Sequence, residues 1–182
     1  MSRIEDSIWM FLNGVKMSGT PTARANIVKQ CQADSSLLLI ICKHTRAAIK
    51  SLYSHKNGSN SLGMKGADSI LSFFVAVTVE QPAFKEAHLR ILHPFITEGI
   101  SYHIPGGVEP LFLFRQSSFM ILAQLFRSST LSASYLQAIL SPLRLAYSSA
   151  DSSAKEEILC VLCIMVSFQK VRFPCYFDPM LH

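Results

Sequence analysis

The stretch 109–127, EPLFLFRQSSFMILAQLFR, leaves this chain few ways to fold. Wound at about 100° per residue, its apolar side chains cover most of a helix circumference. Leu111, Phe114, Ile121 and Leu125 form one stripe, and Phe112, Phe119, Leu122 and Phe126 form a second beside it. Gln116, Ser117, Gln124 and Arg127 fill the narrow polar wedge that remains. A helix apolar on so many sides is covered on several sides. Arg115 and Gln116 interrupt it before it reaches the roughly 18 uncharged residues of a bilayer span. It is therefore predicted as an inner helix with packed neighbours on both flanks.

The rest of the chain supplies helices to pack against it. Thr20-Pro21 predicts an N-cap and first helical residue for a helix reaching residue 33, with Ala25, Ile27, Val28 and Cys31 inward. Asp34-Ser35-Ser36 caps a second helix to about residue 54, with Leu37, Ile41, Ala48 and Leu52 on one side and Lys43, Arg46, Lys50 and Ser54 on the other. Residues 8–12 give a short apolar start, and 54–66, rich in Gly, Asn and Ser, read as a loop. The run 67–80 has β-branched residues that suit a strand, but its length and lack of alternation favour a helix. Helices are also predicted over 83–100 with Pro94 inside, 131–147 with Pro142 inside, and 154–169 opened by the capping box Ser153-x-x-Glu156. Gly106-Gly107 lies in the loop leading to the central helix, and 172–182 read as an irregular tail.

Ile91-Leu92-His93-Pro94 echoes in Ile139-Leu140-Ser141-Pro142, 48 residues on. HEAT and armadillo arrays repeat a helix pair about every 40–47 residues. The predicted fold is all-α, a HEAT/armadillo-like α-solenoid of about three to four antiparallel helix pairs, with residues 1–171 as one domain. Charged residues make up 16% of the chain against 49% hydrophobic, well below the roughly 25% charged of average domains. Such a surface suits a piece of something larger whose apolar faces are covered.

Catalytic and binding motifs are sparse. Cys160-x-x-Cys163 is the one paired-cysteine motif, and nothing supplies the further ligands a tetrahedral zinc site needs. In the middle of an apolar helix, the two thiols are expected in the core. With no secretory signal at the N-terminus, Cys31, Cys42, Cys160, Cys163 and Cys175 are expected as free thiols, and Asn57-Gly58-Ser59 as a loop without glycan. His44, His88, His93 and His103 have no triad-like company, and no phosphate-binding glycine motif occurs. No catalytic residue, cofactor, metal, membrane or small-molecule substrate is expected. Arg115, in an apolar sector, is expected to be paired or snorkelling. The net charge of +5 is compatible with a nucleic acid neighbourhood. Lys43, Arg46 and Lys50, at i, i+3 and i+7, form the candidate surface for RNA phosphate or an acidic partner; a plain solvated face is the competing reading.

A resemblance carries the argument further. Val15-Lys16-x-Ser18-Gly19-x-Pro21-x-Ala23, then Cys31, Asp34 and Ile41-Cys42, then Pro94 and Gly99, then Arg115-Gln116-Ser117-Ser118 occur in order along most of the chain. In these positions the chain resembles the N-terminal region of the large nucleolar family called U3 small nucleolar RNA-associated protein 10 in fungi and HEAT repeat-containing protein 1 in animals. The resemblance implies a non-catalytic scaffold of the small-subunit processome in the nucleolus, the assembly that matures 18S rRNA. It implies partners among processome proteins, with the U3 small nucleolar RNA and pre-rRNA as direct or indirect contacts, and a role in supporting ribosomal DNA transcription. Because the family is far longer, the chain is expected to be a fragment or truncated product. The alternative expectation is a transport or assembly adaptor outside the nucleolus, built on the same repeats.

Overall fold

The computed structural model describes residues 21–54, 71–101 and 109–169, apart from the side chains of 21, 23, 24, 48, 50–54 and 109–112. The described residues form seven helices and no strand. They are α1 (Pro21–Ala33), α2 (Ser35–Ser54), α3 (71–79), α4 (Glu86–Ser101), α5 (Glu109–Ser128), α6 (Ala133–Ser149) and α7 (Ser152–Phe168). The expectations for 8–12, Thr20, the 55–66 loop, His103, Gly106-Gly107, the tail with Cys175, and Val15 to Gly19 lie outside the described residues.

The helices stack in two layers. One layer runs α2, α4, α6, each against the next; in the other, α5 packs on α7. Across the layers α1 packs on α2, α4 on α5, and α6 on α7. Short connections make α6 and α7 antiparallel neighbours. The chain is thus an all-α, solenoid-like stack. Pro94 and Pro142 occupy corresponding places inside α4 and α6, successive helices of one layer, so the sequence echo marks equivalent helices. Proline leaves one helical carbonyl without its usual N–H. In α4 that carbonyl is Arg90's, four residues before Pro94; separately, the Thr97 hydroxyl donates to the His93 carbonyl at 2.9 Å.

Local caps set several boundaries. Asp34 Oδ1 accepts the Ser36 N–H at 2.8 Å, as the sequence predicts. The Ser132 hydroxyl accepts the Tyr135 N–H and opens α6 two residues later than expected. The last helix departs from expectation: its N-cap is Asp151, whose Oδ1 accepts the Ala154 N–H at 2.8 Å, and Ser153 falls inside the helix. Asp is as good an N-cap as Ser, and it comes first in the chain.

The inward stripe of α2 is Leu38, Ile41, Cys42, Thr45 and Ile49, rotated by about one residue from the predicted one; Leu37 is half-buried. In α1, Ile27, Val28 and Cys31 are buried and Ala25 is exposed. In α5, Phe114, Phe119, Ile121, Leu122, Leu125 and Phe126 are all buried. Ser117, expected in the polar wedge, is buried too. Its neighbour Ser118 is admitted to the core because its hydroxyl donates to the Phe114 carbonyl at 3.0 Å, which satisfies the polar group locally. Thr45 and Thr78 do the same one turn back, to Ile41 and Phe74.

α4 and α5 approach closely at Gly99. A Cβ there would sit 1.9 Å from Ser118 Oγ, 2.8 Å from Ser118 Cβ and 3.2 Å from a Phe114 ring carbon. Gly99→Ala is expected to destabilise the fold by about 1–3 kcal/mol, the usual cost of overpacking, despite alanine's better helix propensity. Urea denaturation followed by circular dichroism measures it; a neutral or stabilising result would place the two helices farther apart.

Candidate interaction surface and the polar contacts behind it

The candidate basic stripe is divided by the structure. Lys43 on α2 is exposed. Arg46, one turn on, turns towards α4, where its Nε donates to Glu98 Oε2 at 2.7 Å and a terminal guanidinium nitrogen contacts the same oxygen. Both side chains are partly exposed, so the pair joins neighbouring helices of one layer, and Glu98 offsets the charge that Arg46 would present to a phosphate. The side chain of Lys50 lies outside the described residues.

Arg115 behaves as a paired arginine. A guanidinium nitrogen lies 3.6 Å from Glu157 Oε2, and Gln116 Nε2 donates to Glu157 Oε1 at 3.3 Å. These contacts tie α5 to α7 within the second layer.

Two further polar devices had no sequence signal. His88, buried at the start of α4, uses Nε2–H to donate to the Cys31 carbonyl at 3.0 Å, while Nδ1 accepts the Lys85 N–H at 3.2 Å. Lys85 Nζ donates to the Gln32 carbonyl at 3.0 Å. Carbonyls at a helix C-terminus lack helical donors and carry partial negative charge, so His88 and Lys85 cap the end of α1. Gln169 does comparable work at the other end. Its Nε2 donates to the carbonyls of Phe126 at 2.6 Å and Ser129 at 2.8 Å, and its Oε1 accepts the Leu131 N–H at 2.9 Å. One buried amide thereby holds the α5–α6 turn against the end of α7.

His88 is thus a capping residue with both ring nitrogens committed. Burial, and secondarily Lys85, hold its pKa below the ordinary 6.5, against the raising effect of the Cys31 carbonyl. Burial also lowers His93, which meets the edge of Tyr135 across the α4–α6 contact at 5.3 Å. A histidine depressed in the folded state takes up its proton first in the unfolded chain. Stability is therefore full above about pH 6.5 and falls as pH drops through that value towards the folded pKa. Thermal melts are expected to show a lower midpoint at about pH 5.5 than at about pH 7.5. His88→Gln with His93→Gln is expected to flatten that slope; an unchanged slope in the double variant would remove the histidines as its cause.

The cysteines divide in two. Burial pushes the Cys31 and Cys42 thiols up to about 12, which makes them poor nucleophiles at neutral pH. Cys160 and Cys163, expected in the core, are exposed. Ala154, Ile158, Val161 and Met165 form the inward stripe of α7, and Cys163 lies about half a turn away from it. Among the described residues no three His, Cys, Asp or Glu side chains gather where they could hold a metal ion. Nor is any described helix long and apolar enough to cross a membrane.

No family model matches the chain, and no solved structure matches it. Two curated proteins are similar to it. HEAT repeat-containing protein 1 of Homo sapiens is 20% identical over 161 residues, covering 86% of this chain and 7% of that protein. An uncharacterised protein of Arabidopsis thaliana is 27% identical over 108 residues, covering 57% of this chain and 4% of that protein. The chain therefore spans less than a tenth of either relative. With the two-layer helical stack, the similarity supports a HEAT-like helical scaffold.

Proposed function

We propose that the chain is a non-catalytic scaffold in ribosome biogenesis, working within the small-subunit processome in the nucleolus and supporting pre-rRNA processing. The observation that carries this reading is the similarity to human HEAT repeat-containing protein 1 along 86% of the chain. The polar side chains agree with a scaffold role. Arg46, Arg115, His88 and Gln169 are each spent on joining one helix to another, and a group so committed is not available to a substrate. The scaffold acts by holding an array of helices rigid for protein partners, with exposed Lys43 as a contact for phosphate at its surface.

Affinity purification of the tagged chain from nuclear extract, followed by sequencing of bound RNA, tests the proposal. Enrichment of U3 small nucleolar RNA and 5′ pre-rRNA is expected. Recovery of soluble transport factors with RNA at background would overturn it in favour of an adaptor.

A further inference from the structure

We propose that the hydrogen bonds joining successive turns of the stack form a relay centred on Ser129, through which the grip of Gln169 at the end of α7 is transmitted to the start of α4. This goes beyond the scaffold reading and does not depend on the processome.

The relay is built from a repeated pattern. At the α5–α6 turn, Gln169 Nε2 donates to the Phe126 and Ser129 carbonyls, and Gln169 Oε1 accepts the Leu131 N–H. At the α3–α4 turn, two side chains at the end of α5 supply the same two functions. Gln124 Nε2 donates to the Gln81 carbonyl at 3.4 Å, and Ser129 Oγ accepts the Phe84 N–H at 3.1 Å. In each case the end of one helix gives a donor to the preceding turn and takes an N–H from that same turn. The partners lie 43 and 45 residues apart in one clasp and 38 to 43 in the other, close to the roughly 40–47-residue period of helix-pair repeats. The clasp is therefore a feature of the repeat.

Ser129 belongs to both clasps. Its carbonyl accepts from Gln169 and its hydroxyl accepts from Phe84. A single side-chain torsion separates that hydroxyl from the backbone, so a displacement of the Ser129 backbone carries Oγ with it. Phe84 passes the constraint to its neighbour: the Lys85 N–H donates to His88 Nδ1, and Lys85 Nζ and His88 Nε2 reach the Gln32 and Cys31 carbonyls at the end of α1. Gln169 and His88 are buried, and a buried polar group that loses its partner costs free energy. Opening one clasp thus weakens the next, as in other linked hydrogen-bond networks that carry coupling between distant sites.

Residue-resolved amide hydrogen exchange on the full chain, read by NMR, tests the relay. Gln169→Leu removes both polar atoms at similar volume. It is expected to speed exchange of the Leu131 amide, which loses its own acceptor, about tenfold. The Phe84 amide is expected to speed up at least about threefold, while the mid-helix amides of Ile96 and Leu122 change by less than about twofold. In a Ser129→Ala background, where the hydroxyl link is already cut, adding Gln169→Leu is expected to leave the Phe84 amide as it was. Should Gln169→Leu lose helicity, Ser129→Ala alone decides the point: the relay requires faster exchange at Leu131, whose acceptor on Gln169 is intact. An unaltered Phe84 amide in Gln169→Leu, acceleration shared equally by Ile96 and Leu122, the same effect with and without the Ser129 hydroxyl, or an unchanged Leu131 amide in Ser129→Ala would overturn the proposal.

Discussion

Phe95→Ala is expected to cost about 3–5 kcal/mol, the range for removing a fully buried aromatic ring. Phe95 is entirely buried on α4. Its ring meets Phe74 of α3 edge-on at 4.6 Å and Phe114 of α5 at 4.9 Å. Edge-to-face pairs contribute about 0.5–1.5 kcal/mol each beyond the area they bury, so the truncation removes two such pairs and opens a cavity between three helices. Domains of this size are stable by only about 5–15 kcal/mol, so the variant loses roughly a fifth or more of its margin. Phe95→Leu keeps most of the volume and is expected to lose less than half as much. Urea titration monitored at 222 nm (a helical band) reads both. A loss below about 1 kcal/mol in the alanine variant would show that the three rings do not pack as a unit.

Leu125→Ala, the second large effect, is expected to cost about 2–5 kcal/mol. Leu125 is fully buried on α5, the helix that packs on α4 in one direction and α7 in another. The next residue along, Phe126, and Ser129 beyond it hold Gln169 through their carbonyls, so the backbone beside the cavity is tied in place and resists collapse into it. The same substitution at Leu145, which faces solvent, is expected to change stability by less than about 0.5 kcal/mol. Equal costs at the two positions would mean that α5 is not internal.

Much of this architecture was legible because it is written in local patterns. The apolar run of α5, Asp34 ahead of α2, and the proline echo of α4 and α6 are features of neighbouring residues or of a fixed period. What was not legible depends on partners far away in the chain. Glu157 meets Arg115, and Glu98 meets Arg46 52 residues earlier; nothing in the intervening sequence announces either pair. The orientation of α7 was hidden for a different reason. Its apolar residues surround the helix, so periodicity does not single out the stripe that faces inward, and a core position is expected for Cys160 and Cys163, which face out. The i, i+3, i+7 spacing of Lys43, Arg46 and Lys50 predicts a shared face, but spacing does not reveal that a neighbouring helix brings a carboxylate to Arg46. The buried capping roles of His88 and Gln169 required the stack to be assembled before they had anything to cap.

The central claim is that this helical stack serves as a scaffold within a pre-ribosomal particle, and gradient sedimentation of nuclear extract containing the tagged chain tests it most directly. The account predicts that the chain moves with the large fractions that contain U3 small nucleolar RNA, and that Leu125→Ala, at matched abundance, shifts it to light fractions. A wild-type chain confined to the light fractions while U3 RNA sediments normally would contradict the claim.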